Sequence, residues 1–159
     1  MGGSLKQLPT YLKCIVCGRD NHRGLDIRFR TDETLVRTEV PFSEDMCGFK
    51  GIVHGGILTA VLDEAMGWAA AYNSGRMCVA AELKIRFVRS VLAGENVLVV
   101  ARMERDRRRI VEASGEITSP DGEVLVRGFG KFMPLDAEKA REVDSYLHYE
   151  NCERGIFAY

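Results

Sequence analysis

The chain has 159 residues, a formal net charge of −1 and a hydrophobic fraction of 46%. A chain of this size can bury one sizeable core, so we expect a single domain. The near-zero net charge gives no electrostatic reason to expect nucleic acid as a partner, since duplex binding needs a concentrated basic face.

The N-terminal part is predicted to be a polar leader followed by a hairpin. Residues up to about Leu12 are polar and unpatterned, which indicates a leader strand or a loose arm. Apolar and polar residues alternate in Leu25–Arg30 and again in Thr34–Val40, with a turn at Thr31–Glu33 between them. This period of two predicts a hairpin with one solvent-exposed face.

The cysteines indicate a reduced protein. Their number, five, is odd, and no charged-then-apolar signal segment is recognised, so we expect a cytoplasmic location. Cys14 and Cys17 have the spacing of half a zinc knuckle, but no second pair follows at matching spacing. A site could be completed from elsewhere only if the fold brought a further ligand close; the candidates are His22, Cys47 and Cys152. The sequence favours plain thiols, with no metal and no cofactor.

A long apolar segment, Gly51–Tyr72, predicts a buried helix. The helix is expected over about His54–Asn73, and because apolar residues cover nearly all of its faces, it should lie in the core. Gly75 should end it in a left-handed conformation. Asp63 and Glu64 make a membrane span unfavourable, at ~2.5–3.5 kcal/mol for an Asp. We therefore expect a core helix and no membrane.

Four strands and a second helix are predicted after this helix. The segments that predict strands are Val79–Val88, Gly94–Glu104, Ile110–Thr118 and Glu123–Met133. The charged segment Asp136–Leu147 predicts a helix capped by Asp136. This order predicts an α+β fold in which one curved antiparallel sheet, its last four strands in a meander, wraps around one long central helix. Residues 135–159 are expected to form a C-terminal helical tail.

An isolated acidic pair is the strongest chemical signal. Between Lys50 and Arg76 the only formally charged side chains are those of Asp63 and Glu64. A buried carboxylate either finds donors or has its pKa raised, which suits a general base. Asp63 is therefore the candidate base; its alternative role is a core carboxylate held by backbone donors or by an arginine.

The start of the same helix offers donors for a carbonyl oxygen. The first N–H groups of a helix have no intrahelical partner and lie at its positive end. Gly55 and Gly56 leave room for a ligand to approach them. Asp63 lies eight residues past Gly55, or ~12 Å along the axis at ~1.5 Å per residue. One helix cannot bring both groups to one carbonyl, so the motif favours a dimer with shared sites.

These residues resemble a known family. The segment Gly51–Leu58, with Asp63 nine positions after His54, is similar to the hotdog-fold acyl-CoA thioesterases, in particular to the PaaI-like branch of phenylacetate pathways. The resemblance covers about residues 24–134, the expected hotdog domain. Residues 1–23 form a leader whose CxxC motif, followed by glycine, resembles that of one subgroup.

The resemblance implies a mechanism and an assembly. It implies a homodimer or a dimer of dimers that hydrolyses an acyl-CoA bound between two long helices. The Gly55 N–H would polarise the thioester carbonyl, and Asp63 of the neighbouring chain would act as general base or nucleophile. The residues expected to contact substrate are His54, Gly56, Glu64, Ala81 and Arg89. Of these, Arg89 is a candidate for the phosphates of coenzyme A, and Glu64 is expected to pair with an arginine or to act as a second-site residue.

Departures from the family pattern leave alternatives open. Gly48 stands where many members have Asn or Gln, and Gly67 and Ala81 stand where a Ser or Thr often holds the water. These differences favour a second hypothesis, a non-catalytic acyl-CoA-binding or sensing domain. A hydratase of the same fold is a third, but it expects Pro after the His, where this chain has Gly55. His54 is predicted either to order the loop or to contact substrate.

Overall fold

The computed structural model describes residues 4–152 and 154–159, which form two α-helices, one short 3-10 helix (Glu44–Met46) and nine strands. Seven strands make one antiparallel sheet: β1 (Lys6–Gln7), β2 (Arg30–Thr31), β3 (Leu35–Pro41), β6 (Cys78–Phe87), β7 (Asn96–Asp106), β8 (Val111–Thr118) and β9 (Val124–Pro134). Two short strands, β4 (Cys47–Phe49) and β5 (Ile52–Val53), form a separate ribbon. The helices are α1 (Gly55–Ser74) and α2 (Ala137–Ser145). The predicted α+β arrangement, a long helix packed against an antiparallel sheet, is confirmed.

The long helix ends where the sequence predicts. Gly75 has a φ of 67°, and its N–H donates to the carbonyl oxygens of Ala71 and Tyr72. Nine of the twenty residues of α1 are buried, as expected for a helix that is apolar on most faces. Neither helix of the described residues has the length and apolar character that a membrane crossing requires.

Two glycines on neighbouring strands let α1 approach the sheet closely. Gly115 of β8 and Gly128 of β9 are register partners. A Cβ on Gly115 would lie 3.0 Å from Leu62 Cδ2 and 3.1 Å from Met66 Cγ, and one on Gly128 would lie 3.1 Å from Met66 Cε. Leu62 and Met66 are fully buried. The missing side chains thus make the space into which the helix packs.

The predicted four-strand meander is wrong. The strand order is β1-β2-β3-β7-β8-β9-β6, so β6 pairs with β9 and lies at the edge, while only β7, β8 and β9 follow one another. The connection from β6 to β7 passes the start of α1, where the Val53 N–H donates to the Val91 carbonyl and the Ala93 N–H to that of Gly51. Alternation shows where strands are but carries no information about which strands are neighbours.

The first predicted hairpin is shorter than expected. Only Arg30 and Thr31 form a strand against β3. The segment before them pairs with the leader instead, because the Leu25 N–H donates to the Ile15 carbonyl and the Ile27 N–H to that of Val16. The turn after Thr31 lies where it was predicted.

The leader and the C-terminal tail pack against each other. The Thr10 N–H donates to the His148 carbonyl at 3.0 Å, and the His148 N–H donates back at 2.6 Å. Asp136 caps α2 as predicted, accepting from the Lys139 N–H at 2.8 Å. The boundaries at 23 and 134 stay a prediction, and residues 1–3 of the leader lie outside the described residues.

An ion pair at the end of β7 leads to a prediction about acid stability. The hydrogen bond from Arg76, at 2.6 Å, and that from the Arg108 N–H lower the pKa of Asp106. This carboxylate therefore stabilises the fold above its unfolded pKa of about 4, and the contribution is lost as the pH falls through the lower folded value. Asp106→Asn should reduce the free energy of unfolding by about 1 kcal/mol at pH 7.

Urea denaturation at pH 7 and pH 3 measures this difference, with Asp121→Asn in an exposed turn as the control. The difference in the free energy of unfolding between wild type and Asp106→Asn should be smaller at pH 3 than at pH 7. An equal difference at both pH values would contradict a stabilising role for the Asp106 carboxylate.

Candidate active site

His54 caps α1 and decides which backbone donors remain at the helix start. Its backbone is extended, and its Nδ1 accepts a hydrogen bond from the Gly56 N–H at 2.9 Å. Gly55 is the first helical residue, so its N–H has no acceptor within the helix. Both glycines were predicted to meet substrate. The Gly56 N–H is already used by the cap, and the Gly55 N–H is the donor that remains.

A cavity of about 500 Å³ opens at this helix start. Its lining is mostly apolar, from Phe49, Ile52, Val53, Leu58, Phe87, Val88 and Val91. The Phe87 ring packs directly over the helix start, because a Cβ on Gly55 would lie 3.1 Å from Phe87 Cζ. Arg89 also lines the cavity, with its Nη1 atom 2.7 Å from Glu123 Oε1. The structure thus brings Gly55, His54 and Arg89 together.

Gly48 and the capping histidine fit each other. A Cβ on Gly48 would lie 2.9 Å from His54 Cδ2. The family pattern places Asn or Gln at this position, but with any side chain there the imidazole could not keep its present place. The absence of a side chain at Gly48 therefore leaves the space that the His54 ring occupies in the helix cap.

Asp63 lies at a second, smaller cavity of about 260 Å³. This cavity is formed by α1, β9, α2 and the start of β6, and its other lining residues are Glu64, Gly67, Trp68, Ala71, Met77, Cys78, Val79, Ala80, Phe132, Val143 and Leu147. Burial raises the pKa of Asp63 and is the only cause of the shift. Among the described residues no cation contributes to this shift, and the role of Asp63 as base stays a prediction.

Glu64 faces the leader. Its Oε1 accepts from Trp68 Nε1 at 3.2 Å, and its two oxygens lie 3.9 and 3.8 Å from Cys14 Sγ. The predicted arginine partner is wrong within the described part of the chain. Burial, followed by the charge of Cys14, raises the pKa of Glu64 to about 7.

The pKa values of the two leader cysteines are shifted in opposite directions. The hydrogen bond from the Cys17 thiol, followed by those from the backbone, lowers the pKa of Cys14 to about 6. The same hydrogen bond, together with burial, raises the pKa of Cys17. All five cysteines of the chain are unpaired.

The site residues fall into two separate groups. Gly55, His54 and Arg89 line the cavity at the helix start, whereas Asp63 and Glu64 line the one further along α1. The exposed Ala81 lies on β6, at a register shift, and lines neither cavity. Its predicted contact with substrate stays a prediction.

Sequence reasoning missed two features of the site. One is the packing of Phe87 over the helix start, and the other is the contact of Glu64 with the leader cysteines. The alternation of apolar and polar residues in β6 is the signal that could have indicated a packing role for Phe87. The CxxC motif indicated a special role for the two cysteines, but nothing in the sequence showed that Glu64 lies next to them.

The sheet, the long helix packed against it and the Gly-Gly helix start define a hotdog-fold protein. The model of the thioesterase superfamily matches residues 50–126, which include all of α1 and the strands β6 to β8. Over these residues the chain matches the thioesterase superfamily, and a solved structure of that superfamily shares its fold.

Two curated relatives match part of the chain. One is an uncharacterized protein of Schizosaccharomyces pombe, 32% identical over 50% of this chain and 46% of its own length. The other is a provisionally named esterase of Deinococcus radiodurans, 32% identical over 60% of this chain and 65% of its own length. The match therefore spans less than two thirds of either relative.

Solved structures share the fold. A thioesterase superfamily protein is 26% identical, with a TM-score of 0.72, and the match covers 76% of this chain and 60% of that one. The PaaI protein of the Escherichia coli phenylacetic acid degradation operon is 22% identical, with a TM-score of 0.64 and coverage of 70% and 80%. A Streptococcus mutans protein with bound acetyl-CoA is 17% identical, with a TM-score of 0.61 and coverage of 64% and 82%.

Proposed function

We propose that this protein hydrolyses an acyl-CoA thioester to the free acid and coenzyme A. In this proposal the Gly55 N–H polarises the thioester carbonyl, and Asp63 of a second copy of the chain acts on it as general base or nucleophile. The observation that carries the proposal is a free helix-start donor at the wall of an apolar cavity, combined with an unpaired, half-buried acid on the same helix.

The helix start is suited to stabilise an oxyanion. The Gly55 N–H lies at the positive end of α1, and the cavity beside it has a mostly apolar lining. Removal of one oxyanion-hole donor from an acyl-transfer enzyme costs ~2.7–4 kcal/mol. His54 contributes by holding Gly56 in the cap, so its role is to order the helix start.

Asp63 is suited to act on water or on the carbonyl itself. Burial raises its pKa, which brings the acid closer to the working pH of a general base. Because no cation among the described residues pairs with it, its oxygens are available for a proton or for a bond to carbon.

The distance between the two groups supports a shared site. They line different cavities, and along one helix they are ~12 Å apart. The edge strand β6 is ten residues long and carries the exposed apolar side chains of Val79 and Phe87, and the exposed Val88 follows it directly. A long, exposed apolar edge is a template for pairing with another chain. Because β6 contributes to both cavities, pairing there favours a homodimer, alone or within a dimer of dimers.

Coenzyme A is the proposed carrier of the acyl group. The related fold of the Streptococcus mutans protein holds acetyl-CoA. Arg89 lines the cavity beside Gly55 and, if its pair with Glu123 opens, presents a guanidinium to phosphate. Five unpaired cysteines fit the reducing cytoplasm in which such thioesters are used.

One observation favours a second function, acyl-CoA binding without hydrolysis. Among the described residues that line the Asp63 cavity there is no serine or threonine, and Gly67 stands where a hydroxyl would hold the attacking water. A site without that hydroxyl could bind the thioester and leave it intact.

A thioester panel distinguishes the two functions. We expect the protein to release coenzyme A from at least one of a series of aromatic, short, medium and long acyl-CoAs. Because the chain carries five free thiols, coenzyme A should be separated by chromatography and not read only with a thiol reagent. Tight binding by calorimetry with no release from any member would overturn hydrolysis and favour the binding domain.

A further inference from the structure

We propose that Cys14, Cys17 and Glu64 bind a divalent metal ion that prefers sulfur ligands, Zn²⁺, and that this ion fastens the leader to α1. The two Sγ atoms and a Glu64 carboxylate oxygen all lie within 4.8 Å of one another. At a Zn–S distance of about 2.3 Å and a Zn–O distance of about 2.1 Å, a sulfur and an oxygen ligand of a tetrahedral site lie about 3.6 Å apart. The Cys14 Sγ to Glu64 distances are already 3.8 and 3.9 Å, so small shifts would close the ligands around an ion.

The leader turn is built to present a thiolate. The Val16 and Cys17 N–H groups both point at Cys14 Sγ, at 3.3 and 3.4 Å. The Gly18 N–H closes the turn on the Cys14 carbonyl at 3.0 Å. A Cβ on Gly18 would lie 2.5 Å from three backbone atoms, two of Cys14 and one of Leu12, so only glycine fits. Backbone donors of this kind orient and stabilise a metal-bound sulfur.

The third ligand is also held in place. Trp68 Nε1 donates to Glu64 Oε1 at 3.2 Å, which leaves Oε2 free to turn to the ion. Glu64 sits against two sulfur atoms, and Cys17 is only 2% exposed. Buried anionic groups are ordinarily paired with cations or coordinate metals. A divalent cation would supply that positive charge here.

The ligand set selects the metal. Two sulfurs and one carboxylate favour Zn²⁺ over Mg²⁺ or Ca²⁺, which take oxygen ligands. The three further candidates from the sequence, His22, Cys47 and Cys152, are not part of the cluster. With three ligands from the described residues, water would take the fourth position.

The site adjoins the proposed active site, because Glu64 lines the same cavity as Asp63. Glu64 follows Asp63 on α1, about 100° further around the helix. An ion bound to Glu64 would hold the leader against the helix segment that carries Asp63. Its role would be structural, so metal content can be tested whether or not the protein hydrolyses thioesters.

Metal content after purification without chelators tests the proposal. We expect about one zinc per chain in the wild type, and at least a tenfold loss in Cys14→Ser, Cys17→Ser and Glu64→Gln. The matched controls are Cys47→Ser and Cys152→Ser, which should keep their zinc. Less than a tenth of an equivalent in the wild type after incubation with Zn²⁺ and gel filtration would overturn the proposal. Equal loss in the controls would overturn it as well.

Cobalt substitution of the wild type gives a second reading that does not depend on folded variants. Co²⁺ should produce thiolate charge-transfer bands in the near ultraviolet and visible bands of a tetrahedral site, and Zn²⁺ should displace both. Absence of the charge-transfer bands in the folded protein would overturn the assignment of the cysteines as ligands.

Discussion

Asp63→Asn is expected to lower kcat for thioester hydrolysis by about 10²–10⁴-fold, the range that a lost general base produces. Asparagine keeps the size and shape of the side chain but cannot take a proton or attack a carbonyl. Since no cation among the described residues pairs with Asp63, the change breaks no ion pair, and the fold should be retained. Steady-state kinetics on the best acyl-CoA, with circular dichroism to check the fold, measures the effect.

The exposed Asp121→Asn is the matched control and should keep the wild-type rate. Glu64→Gln is a poor control, because Glu64 contacts Cys14 and Trp68. An Asp63→Asn enzyme with unchanged kcat would contradict the assignment of the base.

Mixing two inactive variants tests whether the site is shared. In a dimer of one Asp63→Asn chain and one Gly55→Val chain, one site would combine the intact Gly55 of the first chain with the intact Asp63 of the second. Activity should therefore return after subunits are mixed and allowed to exchange. Continued inactivity of the exchanged dimer would mean that both groups act within one chain or not on one carbonyl.

Leu62→Ala is expected to reduce the free energy of unfolding by about 2–5 kcal/mol, the range for truncation of a buried leucine. Leu62 is fully buried, and it packs against β8 where Gly115 offers no side chain that could fill the space left behind. For a chain of this length each kcal/mol lowers Tm by roughly 2–4 °C. Thermal unfolding at one fixed protein concentration measures the loss.

Leu62→Met is the control for this truncation. It conserves volume and should cost less than about 1.5 kcal/mol. Equal losses for the Ala and Met variants would show that the side chain is not packed as tightly as the distances to Gly115 indicate.

The elements with strong local signals could be predicted from the sequence. The helix that starts after His54 and ends at Gly75 was predicted within a residue, because its apolar composition, its glycine start and its left-handed end are properties of a short segment. The last three strands and the Asp136 cap were predicted for the same reason. The isolated acid Asp63 was also visible, since the scarcity of charge around it is a feature of the sequence itself.

The features that join distant segments could not be predicted. Alternation identified β6 but not its pairing with β9, which depends on how the connection passes the helix start. The segment expected to form the first strand of the hairpin makes hydrogen bonds to the leader instead, because Ile15 and Val16 lie beside Leu25 and Ile27 in the folded chain. Glu64 was expected to pair with an arginine or to act as a second-site residue, but it contacts Cys14, in a turn fifty residues earlier in the chain.

The sequence by itself determined the class of fold, the long buried helix and the two groups, Gly55 and Asp63, on which the proposed chemistry depends. Only the tertiary structure decided that His54 uses the Gly56 N–H, that the two groups line separate cavities, and that Cys14, Cys17 and Glu64 meet. The physical reason is the range of the interactions. Helix ends and periodicity arise from neighbours in the chain, whereas these contacts depend on how separate elements pack.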